Sequence, residues 1–304
     1  MRQISSVTAG LVRNPGAFMR ELWLFFASSP ESYYDFLGDD VLEAQNGGFK
    51  QETKPLWLNL GYWKDAHTYP DACADLARKL ADAAQLGPGD RVLDAGYGFG
   101  EQDLLWATER NVEHILGVNV TKLHVDVATQ RVAARDLSDR IELKLASATE
   151  LPLQAQSVTK VVALESAFHF DTREAFFAEA FRVLKPGGRI ATADCVPWNG
   201  ERPEGLAHWL GWRRWGVPWQ NIYDSNAYRE KLEKAGFKDV QIESIRHYVF
   251  PGMHHYSAMR KEGKSMEEAI VTLTEQDVSE CLGLEAWAKQ GGLTDYIIAS
   301  AVKP

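Results

Sequence analysis

The chain is poor in what several large protein classes require. It holds three cysteines in 304 residues, Cys73, Cys195 and Cys281. None sits at metal-site or disulfide spacing, and an odd count fits a reducing compartment. Positive charge is also short: 33 Lys and Arg against 42 Asp and Glu give a net charge of −9, with a pI near 5.4. A general phosphate-binding surface is therefore not expected, and nucleic acid is not an expected partner. Long apolar runs are missing too. Leu22 to Ala27 is apolar but far too short to span a bilayer. It carries no cleavage pattern of a secretory leader, so a cytoplasmic location is expected. No internal repeat or low-complexity tract is visible. What is present, 45% hydrophobic and 25% charged residues, suits one large or two small globular domains.

The most informative stretch is Arg91-Val-Leu-Asp-Ala-Gly-Tyr-Gly-Phe-Gly100, followed by Glu-Gln-Asp-Leu-Leu-Trp106. Arg91 to Ala95 reads as a short buried strand. Gly96, Gly98 and Gly100 make a turn that side chains would block. Glu101 to Arg110 reads as a helix with Leu104 and Leu105 inward. Strand, glycine turn and helix start together place bare backbone N–H groups against a ligand. A dinucleotide turn wants Gly-x-Gly-x-x-Gly, its third glycine letting helix pack on strand. Here the spacing is Gly-x-Gly-x-Gly, and Glu101 stands where that third glycine belongs. Asp94 precedes the first glycine. A carboxylate repels a pyrophosphate but favours an ammonium or a hydroxyl-rich cofactor.

The rest of the chain fits an α/β pattern. Asn14-Pro15 caps a helix whose Phe18, Leu22, Phe25 and Phe26 share a face. Tyr69 to Ala84 reads as an amphipathic helix. Strands are expected at 91–95, 114–120, 141–146, 158–164 and 189–196. Helices between them are expected at 101–110, 122–135 and 173–184, implying right-handed crossovers and a doubly wound sheet. Lys185-Pro-Gly-Gly188 reads as a tight turn into strand five. After it, 197–223 is Trp-rich, 224–235 is a helix, 240–250 a strand, 251–292 mostly helical, and 293–302 a final strand. His247, His254 and His255 have no metal-site spacing, so no metal is expected.

The glycine segment resembles motif I of the class I S-adenosylmethionine (SAM) methyltransferases, small-molecule branch. The run Gly117-Val-Asn-Val-Thr-Lys-Leu-His124 is similar to cyclopropane-fatty-acid-synthase-like and sugar or polyketide methyltransferases. Glu165-Ser-Ala-Phe-His169 is similar to the E-S-x-x-H segment of small-molecule O-methyltransferases. The resemblance implies a Rossmann-like, seven-stranded sheet with its last strand antiparallel. Residues 1–84 would form an N-terminal helical lid, and 85–304 the SAM-binding core with cap inserts at about 197–223 and 251–292. It implies cofactor contacts at Asp94, Gly96, Tyr97, Gly98 and Gln102. Further contacts are implied at Asn119, Val120 and His124, at Ser147, Ala148 and Thr149, and at Leu164. Tyr34, Tyr62 and Trp63 would cover the cofactor from before the core, where an aromatic beside a sulfonium gains cation–π attraction.

His169 is the expected general base, because an imidazole titrating near neutrality can take a hydroxyl proton. Glu165 would orient His169 or contact SAM, or else pack near the sheet edge. The Trp-rich cap points to a largely apolar small-molecule substrate. A homodimer stays open. Two rivals remain. One is C-methylation of an isoprenoid or unsaturated acyl chain, with aromatic walls around a carbocation and Arg213 and Arg214 on a diphosphate or carboxylate. The other is a SAM-binding domain without catalysis.

Overall fold

The computed structural model describes residues 54–198, 212, 216–282 and 294–304. Seven strands form one sheet: β1 (Arg91–Ala95), β2 (His114–Asn119), β3 (Ile141–Leu145), β4 (Val158–Leu164), β5 (Leu184–Pro197), β6 (Lys238–Ser244) and β7 (Thr294–Val302). Among the described residues seven helices flank it: α1 (Tyr69–Ala84), α2 (Glu101–Glu109), α3 (Lys122–Ala133), α4 (Arg173–Val183), α5 (Ser225–Lys234), α6 (Arg246–Lys261) and α7 (Glu275–Leu282). Strand order is β3-β2-β1-β4-β5-β7-β6. The first five strands run parallel, and β7 lies antiparallel between β5 and β6.

Both faces of the sheet's centre are covered, so β1, β2, β4 and β7 are largely buried on both sides, whereas the edge strands β3 and β6 are polar and part-exposed. The period-2 alternation of β1 shows the division. Val92 joins a core of α1 and α2 side chains, including Leu76, Leu80 and Trp106. Leu93 and Ala95 join the opposite core with Phe176 and Phe177 of α4. Local caps set the helix starts. Thr68 accepts the Asp71 N–H of α1, Thr172 the Ala175 N–H of α4, and Asp224 the Ala227 N–H of α5.

Two expected boundaries differ from those observed. The apolar run 240–250 was expected as one strand, but β6 ends at Ser244 and α6 begins at Arg246. Ile245, Val249, Gly252 and Tyr256 recur at helical spacing on the buried face. Gly252 is required there, since a Cβ would sit 2.1 Å from Trp63 Cγ. The expected turn at 185–188 is instead a bulged start of β5. Its register passes from Val158↔Leu184 to Lys160↔Arg189, and the Gly187 N–H donates to Lys303 O. The expected N-terminal helix, Tyr34 and most of the Trp-rich segment lie outside the described residues. Among the described residues, no helix is long and apolar enough to cross a membrane.

Candidate active site

The strand order reverses between β1 and β4, where open α/β sheets bind ligands at their carboxyl ends. A cavity of about 650 Å³ opens there. Its wall includes Gly96, Tyr97, Gly98 and Gln102 after β1, and Asn119, Val120 and His124 after β2. Ser147, Ala148 and Thr149 follow β3, and Leu164, Glu165 and His169 follow β4 on the same wall. Thirteen of the expected site residues are thus brought together.

The glycine turn is sterically enforced. Gly96 has φ +85°, and a Cβ there would come within 2.4 Å of Ser166 Cβ. Ser166 Oγ donates to Ala95 O at 2.5 Å and pins the ends of β1 and β4 together. Gly100 then starts α2 with φ +78° and no side-chain cap, so the first helical N–H groups stay available toward the glycine turn. Asn119 Oδ1 accepts the Thr121 N–H at 3.0 Å, and its Nδ2 lies 3.4 Å from His124 Nδ1. His124 is buried rather than on a helix surface, and burial pushes its pKa down to about 4. Ser147 Oγ accepts the Thr149 N–H at 3.2 Å, which shapes the turn after β3.

Three expected cofactor residues are not on the wall. Asp94 alternates with Leu93 and Ala95 and so points beneath α2, fully buried, beside Asp103 and Gln102. Burial pushes its pKa up to about 7, and Asp103 is raised further by burial and by Asp94. Burial of both carboxyls disfavours their charged forms. Tyr62 and Trp63 are turned away because Gly61, at φ +78°, redirects the chain. Trp63 is buried against Tyr69, Tyr256 and Gly252, with its Nε1–H donating to Leu60 O at 2.8 Å. Tyr62 meets Tyr248 edge-on, 5.4 Å between centroids.

In their place, Leu56, Leu58, Asn59 and Leu60 line the cavity. The core holds this strap by its backbone. Glu101 accepts the Leu56 N–H at 3.1 Å and forms a buried ion pair with Arg131, which also donates to Lys54 O. Glu165 Oε1 accepts the Leu60 N–H at 2.9 Å and the Tyr296 hydroxyl at 2.7 Å. The sequence signal was the alternation Leu56-x-Leu58-x-Leu60. Phe99, Phe168, Phe170 and Cys195 also line the wall and were not expected there.

Glu165 adopts φ +50°, an uncommon conformation for a residue with a Cβ. Burial pushes its carboxyl up to about 7, partly offset by its two donors. His169 ends a 3₁₀ turn, Ala167–His169. Its Nδ1 lies 3.2 Å from Gly216 O. A carbonyl only accepts, so Nδ1 carries the proton and Nε2 the lone pair. It is Gly216, not Glu165, that meets this nitrogen. The expectation of a near-neutral pKa is not met: burial pushes the His169 pKa down to about 3.

The residues fit a cofactor with hydroxyl groups and a zwitterionic end. The wall offers a side-chain amide at Asn119 and bare amides at the start of α2. Behind it the Tyr97 hydroxyl is buried with no hydrogen-bond partner among the described residues. Among the described residues, no group of three or more His, Cys, Asp or Glu is placed to hold a metal ion.

A doubly wound sheet with an antiparallel last strand, a glycine turn at its switch point and a histidine across the cavity define a methyltransferase-class α/β enzyme. Residues 93–192 match the family model described as a methyltransferase domain. The chain is 36% identical over 261 residues to erythromycin 3''-O-methyltransferase of Saccharopolyspora erythraea, covering 83% of this chain and 85% of that protein. It is 33% identical over 257 residues to 27-O-demethylrifamycin SV methyltransferase of Amycolatopsis mediterranei, covering 82% and 92%. The crystal structure of the [4+2]-cyclase SpnF superposes with a TM-score of 0.67 at 22% identity, covering 90% and 94%. The chain belongs to the SAM-dependent methyltransferase family, in its small-molecule branch, and its cofactor is SAM.

Proposed function

We propose that this enzyme methylates a hydroxyl oxygen on a large, mostly apolar secondary metabolite, with His169 as the general base. The two relatives named above act on the 3'' and 27 oxygens of erythromycin and rifamycin compounds. The observation that carries the base assignment is the placement of His169, with its ring on the cavity wall and Nδ1 committed to Gly216 O.

In this reading, Gly96, Gly98 and the start of α2 hold the methionine end of SAM. Asn119 and His124 lie on the ribose side, and the 147–149 turn on the adenine side. Bound SAM supplies an electrophilic methyl group on a sulfonium. The chain's own part is positioning and proton removal. Phe168, Phe170 and Leu60 exclude water. His169 Nε2 accepts the hydroxyl proton as oxygen attacks. Its low pKa keeps the ring neutral across the physiological range and places proton transfer late, once the oxygen has become acidic through bond formation.

The test uses 3''-O-demethylerythromycin and 27-O-demethylrifamycin SV as probe substrates. His169→Ala should keep S-adenosylhomocysteine affinity and lower turnover by a factor on the order of 10² to 10⁴. Unchanged turnover would refute the base assignment. Methyl transfer to carbon with shifted double bonds, found with an isoprenoid probe and not with these alcohols, would favour the C-methylation reading.

A further inference from the structure

Asn221 lies in a 3₁₀ turn, Trp219–Asn221, in the segment that leads from the cap into α5. Its side chain is buried and fully used. Nδ2 donates to Phe168 O at 3.0 Å and to Phe170 O at 2.7 Å, and Oδ1 accepts the Arg173 N–H at 3.0 Å. One amide therefore binds the backbone on both sides of His169. Arg173 closes the arrangement from beneath. Its guanidinium, fully buried, donates to Asn221 O, to Cys195 O at 2.8 Å and to both oxygens of Asp194 at 2.9 and 3.1 Å. Tyr223 and Tyr228 flank it at 5.0 and 5.4 Å. The segment fixed in this way also carries Gly216, whose carbonyl meets His169 Nδ1.

We propose that Asn221, locked by Arg173, is a positioning residue that holds the 168–173 loop and the Gly216 carbonyl in register, so that His169 keeps its Nδ1–H tautomer and presents Nε2 to the substrate. The inference rests on His169 being the base. A buried Asn whose two functional groups bridge two chain segments acts as a latch: no other neutral side chain of that size offers two donors and an acceptor in one plane. Arg173 adds the planar fork that a lysine lacks. Its charge is paired with Asp194, and its field adds to burial in holding the imidazole neutral.

The first measurement needs neither substrate nor variant. Nitrogen-15 NMR of His169 in the full chain should show Nδ1 protonated at neutral pH, and an Nε2–H tautomer would overturn the proposal. Asn221→Ser and Arg173→Lys should then let His169 take up the other tautomer and titrate upward, by about one unit or more toward the ordinary value. S-adenosylhomocysteine affinity should stay within about threefold, and turnover on the two demethyl probes should fall by about tenfold or more. In a His169→Ala background, the same substitutions should cost less than about twofold further. Equal losses in both backgrounds, or folded variants with unaltered His169 titration, would mean that Asn221 only supports the fold. Full activity of His169→Ala would remove the base assignment and leave the tautomer result standing. If neither variant folds, the tautomer in the unmodified protein decides.

Discussion

Glu101 stands where a dinucleotide-binding turn would carry glycine, and truncating it is the sharpest test of how the cavity wall is held. Glu101→Ala leaves the buried Arg131 side chain without the carboxylate beside it. Breaking a buried pair from one side costs about 3–5 kcal/mol. The Leu56 N–H also loses its acceptor, roughly 1–3 kcal/mol that overlaps the first figure in part. A loss of about 4 kcal/mol should lower Tm by roughly 6 to 15 °C in a chain of this size. The double change Glu101→Leu with Arg131→Met fills the space with apolar atoms and should recover most of that stability. It cannot recover the hold on Leu56 and Lys54. S-adenosylhomocysteine should therefore bind about tenfold more weakly to both variants, by calorimetric titration. Two results would refute the reasoning. One is a Glu101→Ala melt within about 2 °C of wild type. The other is full affinity in the double variant, which would make the strap incidental to the cofactor.

Other expectations follow from the same geometry. Asn119→Ala should weaken S-adenosylhomocysteine binding by about tenfold, whereas Tyr62→Leu, off the wall, should leave it unchanged by titration. The wild-type pH–rate profile should show no acidic limb near 6.5, because burial pushes the His169 pKa down to about 3; a limb at the ordinary value would mean that the ring is solvated. Glu165 is raised to about 7, so the folded state holds its proton more tightly than the unfolded chain does. That destabilises progressively as pH rises from the ordinary carboxyl value through 7. Glu165→Gln should remove this slope and gain on the order of 2 kcal/mol on wild type between pH 4.5 and pH 8 in denaturant titrations, allowing for solvent in the cavity.

The sheet, its strand order and most of the cavity were legible because they rest on local signals. Three glycines in five residues, a strand before them and polar residues at the next strand ends leave few arrangements open. The structure departs from the sequence reading where chain direction or alternation decides which way a side chain points. Asp94 belongs to the glycine motif in sequence but faces α2 in space, because a strand side chain's face is set by parity. Tyr62 and Trp63 carry the chemistry a sulfonium would attract, yet a single positive-φ glycine turns them into the α1–α6 layer. The strap leucines look like ordinary core residues, and only the tertiary bonds from Glu101 and Glu165 give them their place. The His169 pKa was misjudged for a related reason: burial is a property of the whole wall, and the residue type says nothing about it.

The position of β7 has a consequence for how the molecule is made. It follows every other strand in the chain, yet it sits inside the sheet, pairing along its whole length with β5 and through Ser244 with β6. During synthesis the half containing β1 to β4 can pair as it emerges. The exposed side of β5 and all of β6 must wait for residues 294–302. Until then those strands present open edges, the kind of surface on which neighbouring nascent chains can pair wrongly. Removing the last ten residues would take out an interior strand and not trim a loose end. Just past the strand, Lys303 ties its end to the sheet's flank, its Nζ donating to Phe181 O at 2.6 Å and Leu184 O at 2.8 Å.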